Sequence, residues 1–261
     1  MRIVRFIKDG EIFFGKISGN EIYYIQGNIF DQFEVTTRKV NVKSVKILSP
    51  VFPPNIIAIG KNYKDHVKET NSSLPKKPLI FLKATSSIIG NEDEIILPEA
   101  APNEVDFEAE LAIVIGREAK FIEEKKADDY ILGYTCANDV SARDCQKRLD
   151  KQWARAKSFD TFCPIGPWIE TQLIQPNNLK ITSKLNGNIM QDSNTNKLIF
   201  NTRELVSYCS KNFTLLPGTI IMTGTPGGVG YGREPKVFLK PGDKIEIEIE
   251  GIGKLYNKVQ E

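Results

Sequence analysis

The sequence predicts a mainly β protein with some helix, of the α+β class. Three observations point there. Short apolar runs recur along the chain, several with the two-residue alternation of a half-buried strand. Gly, Asn and Pro clusters break these runs every few residues, as turns do. Long stretches with helical spacing are few. The 261 residues suffice for one large core plus a small appendage.

Residues 1–50 read as a small β-rich N-terminal domain. Ile3, Phe6, Ile12, Phe14, Ile17, Ile22, Tyr24 and Ile25 fall in short runs separated by KDGE, SGNE and QGN, whose Gly and Asn suit tight hairpin turns. The Pro-rich SPVFPPN is non-helical and joins this unit to a main domain over residues 51–261. There, IIAIG reads as a short buried strand and KNYKDHVKE as a short helix. The Ser/Pro/Lys stretch after it reads as a mobile loop, a candidate lid. PLIFLKA is apolar again and EIILPEA reads as a strand. EVDFEAELAIVIG carries the strongest strand signal in the chain. ILGYTCANDVSARDCQKRLDKQW reads as strand, turn and a helix beginning near Ser141. KLNGNIM is a hairpin turning at Asn186-Gly187. In NTRELVSYCSKNF, Asn201 caps a helix, with Glu204 three residues on and Leu205, Cys209 and Phe213 at helical spacing. LLPGTIIMTGTPGGVGYG is a strand entering a glycine loop, and Lys244–Glu250 is a half-buried strand alternating isoleucine with charge.

Composition narrows the function. Hydrophobic residues make up 41% and charged residues 26%, with a net charge of +2, ordinary for a soluble protein. No Lys/Arg block suggests a nucleic-acid or membrane partner. No apolar run reaches the roughly 18–20 residues of a membrane span, and charges interrupt the N-terminal apolar stretch, unlike a signal peptide. Cys136, Cys145, Cys163 and Cys209 form no CxxC pair, so buried reduced thiols in a cytoplasmic protein are expected rather than a zinc site. His66 is the only histidine, so imidazole chemistry has one possible source.

The candidate chemistry starts with Asp106, Glu108 and Glu110. On a strand they share one face, spaced roughly 6–7 Å apart. Beside an apolar run, their repulsion calls for protonation, cationic partners or a bound cation, and oxygen ligands favour Mg²⁺, Mn²⁺ or Ca²⁺. From spacing alone, a solvated strand end explains the run more simply. The IEIEIE segment shows how common such alternation is, but the run after Glu110 is apolar on both faces. Asp139, where a strand-like stretch turns toward a helix, suits a third ligand or a helix N-cap. His66 and Glu69 would share a helical face as a base and its orienting carboxylate, or lie in a solvated loop. Lys157 could hold an oxyanion and Arg143, with Gln146 three residues on, a carboxylate; either could equally be a surface cation. The loop TGTPGGVG offers backbone N–H groups. It lacks GxxxxGK[ST], and GxGxxG leading a helix, which excludes P-loop and Rossmann readings.

The order of GKNYKDHVKE, DFEAEL, ANDVSARDCQ, AKSFDTFCPIGPWI, TGTPGGVG and LKPGDKIEIEIEGIG resembles the fumarylacetoacetate hydrolase family over about residues 54–259. The resemblance implies a mixed β-roll catalytic domain, usually in a homodimer, with Mg²⁺ or Mn²⁺ bound. It places metal ligands at Glu108, Glu110 and Asp139, and a catalytic dyad and lysine at His66, Glu69 and Lys157. Substrate contacts fall on Arg143, Gln146, Gly224, Thr225 and, less directly, Tyr63; Asp106 matches no usual ligand. Lys61 stands where many members carry an apolar residue or arginine, which leaves substrate length and charge open. The leading expectation is C–C hydrolysis of an acylpyruvate-type 2-oxo acid through a metal-bound enolate. The alternative is an isomerase, keto–enol tautomerase or decarboxylase of 2-oxo or 2-hydroxy diacids such as oxaloacetate or 2-hydroxyhepta-2,4-diene-1,7-dioate. A non-catalytic metal-binding scaffold would be favoured by a missing ligand, histidine or lysine, and all are present.

Overall fold

A computed structural model describes residues 1–261. The first five strands, Arg2–Lys8, Glu11–Ser18, Glu21–Gly27, Phe33–Asn41 and Lys46–Leu48, occupy the predicted N-terminal region. Val4, Phe6, Ile22, Tyr24 and Val40 give it a small core of its own. Its hydrogen bonding is continuous with the rest of the molecule. Strand Arg2–Lys8 pairs antiparallel with Cys163–Glu170, setting Arg2 opposite Glu170 and Ile3 opposite Ile169.

From that junction the main sheet runs through Cys163–Glu170, Ile131–Asn138, Ala109–Ile115, Ile220–Met222 and Ile56–Gly60 to an edge at Leu79–Lys83. Its central strand, Ala109–Ile115, is buried along its whole length. It has partners on both sides and apolar side chains toward two separate cores, which is why no polar/apolar alternation appears there. A second, five-stranded sheet packs against it, with Lys180–Leu185, Asn188–Asn194, Lys244–Ile249 and Gly253–Gln260 as its main strands. Ile245, Ile247 and Ile249 are buried in this sheet while the intervening glutamates are not, as the alternation predicts.

Helices are short. The longest, Thr202–Asn212, begins at a capping box: Asn201 accepts from the backbone of Arg203 and Glu204, and the Glu204 side chain returns to the Asn201 N–H. No helix is long and apolar enough to cross a membrane.

Two local expectations change. The strand predicted through Asp106–Glu110 is interrupted: Val105–Asp106 pairs with Ser141–Ala142, and Ala109–Ile115 starts a new ladder beside Ile131–Asn138. At the break, Asn138 Oδ1 accepts from the Glu108 N–H and Gln191 Oε1 from the Ala109 N–H, in place of ladder partners. The helix expected from Ser141 starts after Ala142, and Cys145–Leu149 is wound as a π-helix, with the Asp150 N–H closing on the Cys145 carbonyl.

Candidate active site

The break in the strand gathers the site. Ligand atoms of Glu108, Glu110 and Asp139 lie within 4.8 Å of one another, and all three residues are buried. Asp139 follows the strand Ile131–Asn138, and its N–H donates to the Glu108 carbonyl at 2.9 Å. Two glutamates alternating on one chain and an aspartate from the neighbouring strand end therefore face a common centre.

Cations surround these acids. Lys157 Nζ lies 2.9 Å from Glu108 Oε2, 2.5 Å from Asp139 Oδ2 and 2.8 Å from Ser141 Oγ. Lys83 Nζ reaches the other Asp139 oxygen at 2.5 Å and donates to the Phe162 carbonyl. Arg143 Nε donates to Asp106 Oδ2 at 2.8 Å, and Nη2 lies 2.7 Å from both Asp106 and Glu108 as an ion pair, without hydrogen-bond angles. Burial works against the charged form of Glu108, but Lys157 and Arg143 outweigh it and hold its carboxyl below the ordinary carboxylate range. Burial likewise opposes the charge on Lys157, and Asp139 and Glu108 restore it.

Glu110 is the exception. Its nearest donor is the backbone N–H of Gly224, at 2.7 Å. Burial, with Asp139 and Glu108 alongside, pushes its carboxyl well above the ordinary value. Four buried carboxylates (Asp106, Glu108, Glu110 and Asp139) face three cations (Lys83, Lys157 and Arg143), leaving one negative charge over. A divalent cation would reverse that sign. Oxygens bound about 2.1 Å from a magnesium ion are separated by at most roughly 4.2 Å, so a small closure of the observed set suffices. The residues fit a hard divalent ion, held by Glu108, Glu110 and Asp139.

The glycine loop supports this assembly from the other side. Its N–H groups serve the chain's own carboxylates: Gly224 on Glu110, Gly228 on Glu69, and Gly230 and Tyr231 on Asp106, at 2.7–2.9 Å. Gly224 has a φ of 100°, and a Cβ there would meet that of Asn62 at 2.8 Å; at Gly232 a Cβ would lie 2.5 Å from the Glu69 carboxyl carbon. On the short helix Lys64–Glu69, His66 Nδ1 lies 3.1 Å from Glu69 Oε2, and His66 lines the cavity. With Nδ1 given to Glu69, Nε2 is the nitrogen left for substrate.

The cavity holds about 50 Å³ of solvent space, room for roughly four waters at ~10–15 Å³ each. Of the residues singled out in the sequence, His66, Glu108, Glu110, Asp139, Arg143, Gln146, Lys157 and Thr225 line it, as does Lys61. Gln146 Oε1 accepts from Arg143 Nη1, and Thr225 Oγ1 from Gln191 Nε2. Glu69, Gly224 and Asp106 stand behind the lining, each bonded to the loop or to a lining residue. Tyr63 is fully buried outside the lining, its hydroxyl unpartnered and its ionisation opposed by burial and then by Glu110. The sequence reading passed over Lys83, Ser141, Tyr231 and Lys147. Only Lys83 carried a usable signal, a lone charge inside the apolar PLIFLKA. The broadest surface groove, about 730 Å³ beside Asp128, Tyr134 and Arg203, lies away from these groups. The cysteines, all free and buried, have thiol pKa values raised by burial, Cys163 and Cys209 to about 12.

The chain belongs to the fumarylacetoacetate hydrolase family: the family described as fumarylacetoacetate (FAA) hydrolase, C-terminal, matches residues 55–260, and one described as Rv2993c-like, N-terminal, matches residues 1–50. It is 50% identical over 218 residues to rat "Oxaloacetate tautomerase Fahd2a, mitochondrial", 82% of this chain and 69% of that protein. Among solved structures, 5-carboxymethyl-2-hydroxymuconate delta-isomerase from Mycobacterium smegmatis superposes with a TM-score of 0.90 at 41% identity, over 100% of this chain and 99% of that one. Maleylpyruvate hydrolase from Sphingobium sp. SYK-6 reaches a TM-score of 0.81 at 29% identity, over 100% and 99% of the two chains.

Proposed function

We propose that this protein is a divalent-metal-dependent tautomerase or isomerase of short 2-oxo acids, with oxaloacetate as the leading substrate. The observation that carries the reading is His66, its Nδ1 engaged by Glu69, lining the same small cavity as the carboxylate triad. A prototropic shift needs one group that takes a proton at one atom and returns it at another. Hydrolysis of an acylpyruvate also needs a place for the attacking water and the acyl half, which a cavity of about 50 Å³ supplies poorly. The names of the more similar relatives favour the same choice, so the hydrolytic expectation gives way to its tautomerase and isomerase alternative.

The metal, Mg²⁺ or Mn²⁺ in this proposal, would polarise the 2-oxo group when bound. Everything else falls to the chain. Glu69 fixes the ring of His66 through Nδ1, so that Nε2 exchanges a proton with C3 of the substrate. Gly228 holds Glu69 in turn. Lys157 sits beside the triad, where negative charge develops on the C2 oxygen, and donates to it. In the enol-to-ketone direction His66 Nε2 takes the hydroxyl proton from the C2 oxygen and delivers a proton to C3, so the dyad ends each turnover as it began. Gln146 and Thr225 orient the acid from the cavity wall.

The test is an assay on EDTA-stripped protein with and without Mg²⁺ or Mn²⁺. Loss of enol absorbance from oxaloacetate, metal-dependent and without pyruvate or CO₂, is the expected outcome. Pyruvate released from acetylpyruvate would move the protein to the hydrolases, and CO₂ from oxaloacetate to the decarboxylases.

A further inference from the structure

The cations in and behind the cavity wall divide into two sets. Lys83, Lys157 and Arg143 are each held by buried carboxylates. Lys61 and Lys147 also line the cavity, and neither forms a salt bridge. They come from distant parts of the chain. Lys61 follows the strand Ile56–Gly60 in a left-handed conformation, φ 56°, that a lysine rarely adopts. Lys147 lies on the π-helix, one residue after Gln146. Tyr231 stands beside it, its ring centroid 5.6 Å from Lys147 Nζ and 4.1 Å from Lys236 Nζ, so the region is rich in positive charge. Burial and then the like charges of Arg143 and Lys61 lower the pKa of Lys147, and Glu108 offsets this only in part.

We infer that Lys61 and Lys147 bind a second carboxylate of the substrate, at the end remote from the metal triad, and so select 2-oxo diacids over 2-oxo monoacids. The inference deepens the function proposed above and rests on it for the position of the first carboxylate. The charges agree. The four buried carboxylates, the three buried cations and a divalent ion would together carry one positive charge, and the two lysines bring the site to three. A diacid in its enolate form carries three negative charges and a monoacid two. The two lysines and the triad line the same small cavity, so both ends of one short diacid can be held there.

Malate and lactate share a 2-hydroxy acid head and differ in the distal carboxylate, and neither is consumed by a tautomerase. Calorimetry on the Mg²⁺-loaded protein should find malate bound at least about tenfold more tightly than lactate. That ratio should fall toward one in the Lys61→Met/Lys147→Met double variant and survive in the corresponding arginine variants, which also report on folding. In kinetics, the preference of kcat/KM for oxaloacetate over its 4-methyl ester should fall about tenfold in the double variant, chiefly through KM. Equal binding of malate and lactate by the wild type, or a preference that persists in the double variant, overturns the inference. A malate preference lost on mutation, in a protein that does not enolise oxaloacetate, upholds the diacid site and overturns the tautomerase reading alone.

Discussion

Two stretches of this chain alternate acidic and apolar residues and put their carboxylates in opposite places. Around Glu108 and Glu110 the acids are buried; along Lys244–Ile249 the isoleucines are buried, and Glu246 and Glu248 lie at the surface. The surface glutamates share Lys184 and Lys254 in bridges 3.1–3.7 Å long, part of an exposed ladder that contributes little to stability. The buried pair meets Lys157, Arg143 and a backbone N–H. What separates them is the strand on either side. Ala109–Ile115 is flanked by two partners and covered on both faces, so a carboxylate at its start has only the small cavity's water to turn to and needs cations.

The sharpest way to break this contrast is one conservative substitution in each stretch. Glu110→Gln removes a ligand and should cost at least about a hundredfold in kcat/KM, with weakened metal binding in a calorimetric titration. Glu246→Gln should leave both within about twofold and shift stability by no more than ~0.5 kcal/mol. Equal effects of the two would show that burial does not set their roles.

A smaller loss is expected at Lys83, which holds the second oxygen of Asp139. Lys83→Met should weaken metal affinity or turnover about 10–100-fold, the range for groups that orient a ligand, and should lower the melting temperature by uncovering a buried charge. An unchanged metal titration would reduce Lys83 to a structural ion pair.

The mildest effect is a slope with pH. Glu110 is raised well above the ordinary carboxylate value of 4.5, so the folded metal-free protein keeps a proton that the unfolded chain has lost. Its stability should therefore fall as pH rises from that value through the raised one. Glu108, held low, contributes the opposite slope only below the ordinary value, so the two windows separate. Metal binding expels the Glu110 proton, so affinity should rise by up to about tenfold per pH unit in the same interval. Titrations at pH 5.5, 6.5 and 7.5 would read this slope, and Glu110→Gln should flatten it.

Features set by neighbours in sequence were legible. The Asn186-Gly187 turn, the Asn201 capping box, the buried isoleucines of Lys244–Ile249 and the His66–Glu69 contact each depend on residues a few positions apart. The cluster of Glu108, Glu110 and Asp139 was found by joining a local spacing to a family resemblance. Contacts made across the chain were not legible. Lys83 meets Asp139 across 56 positions, and no pattern around either announces the other. Strand Arg2–Lys8 joins Cys163–Glu170 far along the chain, and no local pattern announces the Arg2–Glu170 ion pair that marks the junction. The interruption before Ala109 escaped because Asn138 and Gln191, distant in sequence, supply the partners that let the ladder break.

The chain's single imidazole sits inside this site. In a nitrogen-15-labelled, tag-free sample the aromatic nitrogen spectrum therefore holds one histidine spin system, assigned before it is recorded. Its two nitrogen shifts report which ring position carries hydrogen, and their movement on adding metal or a diacid follows the dyad without any introduced probe.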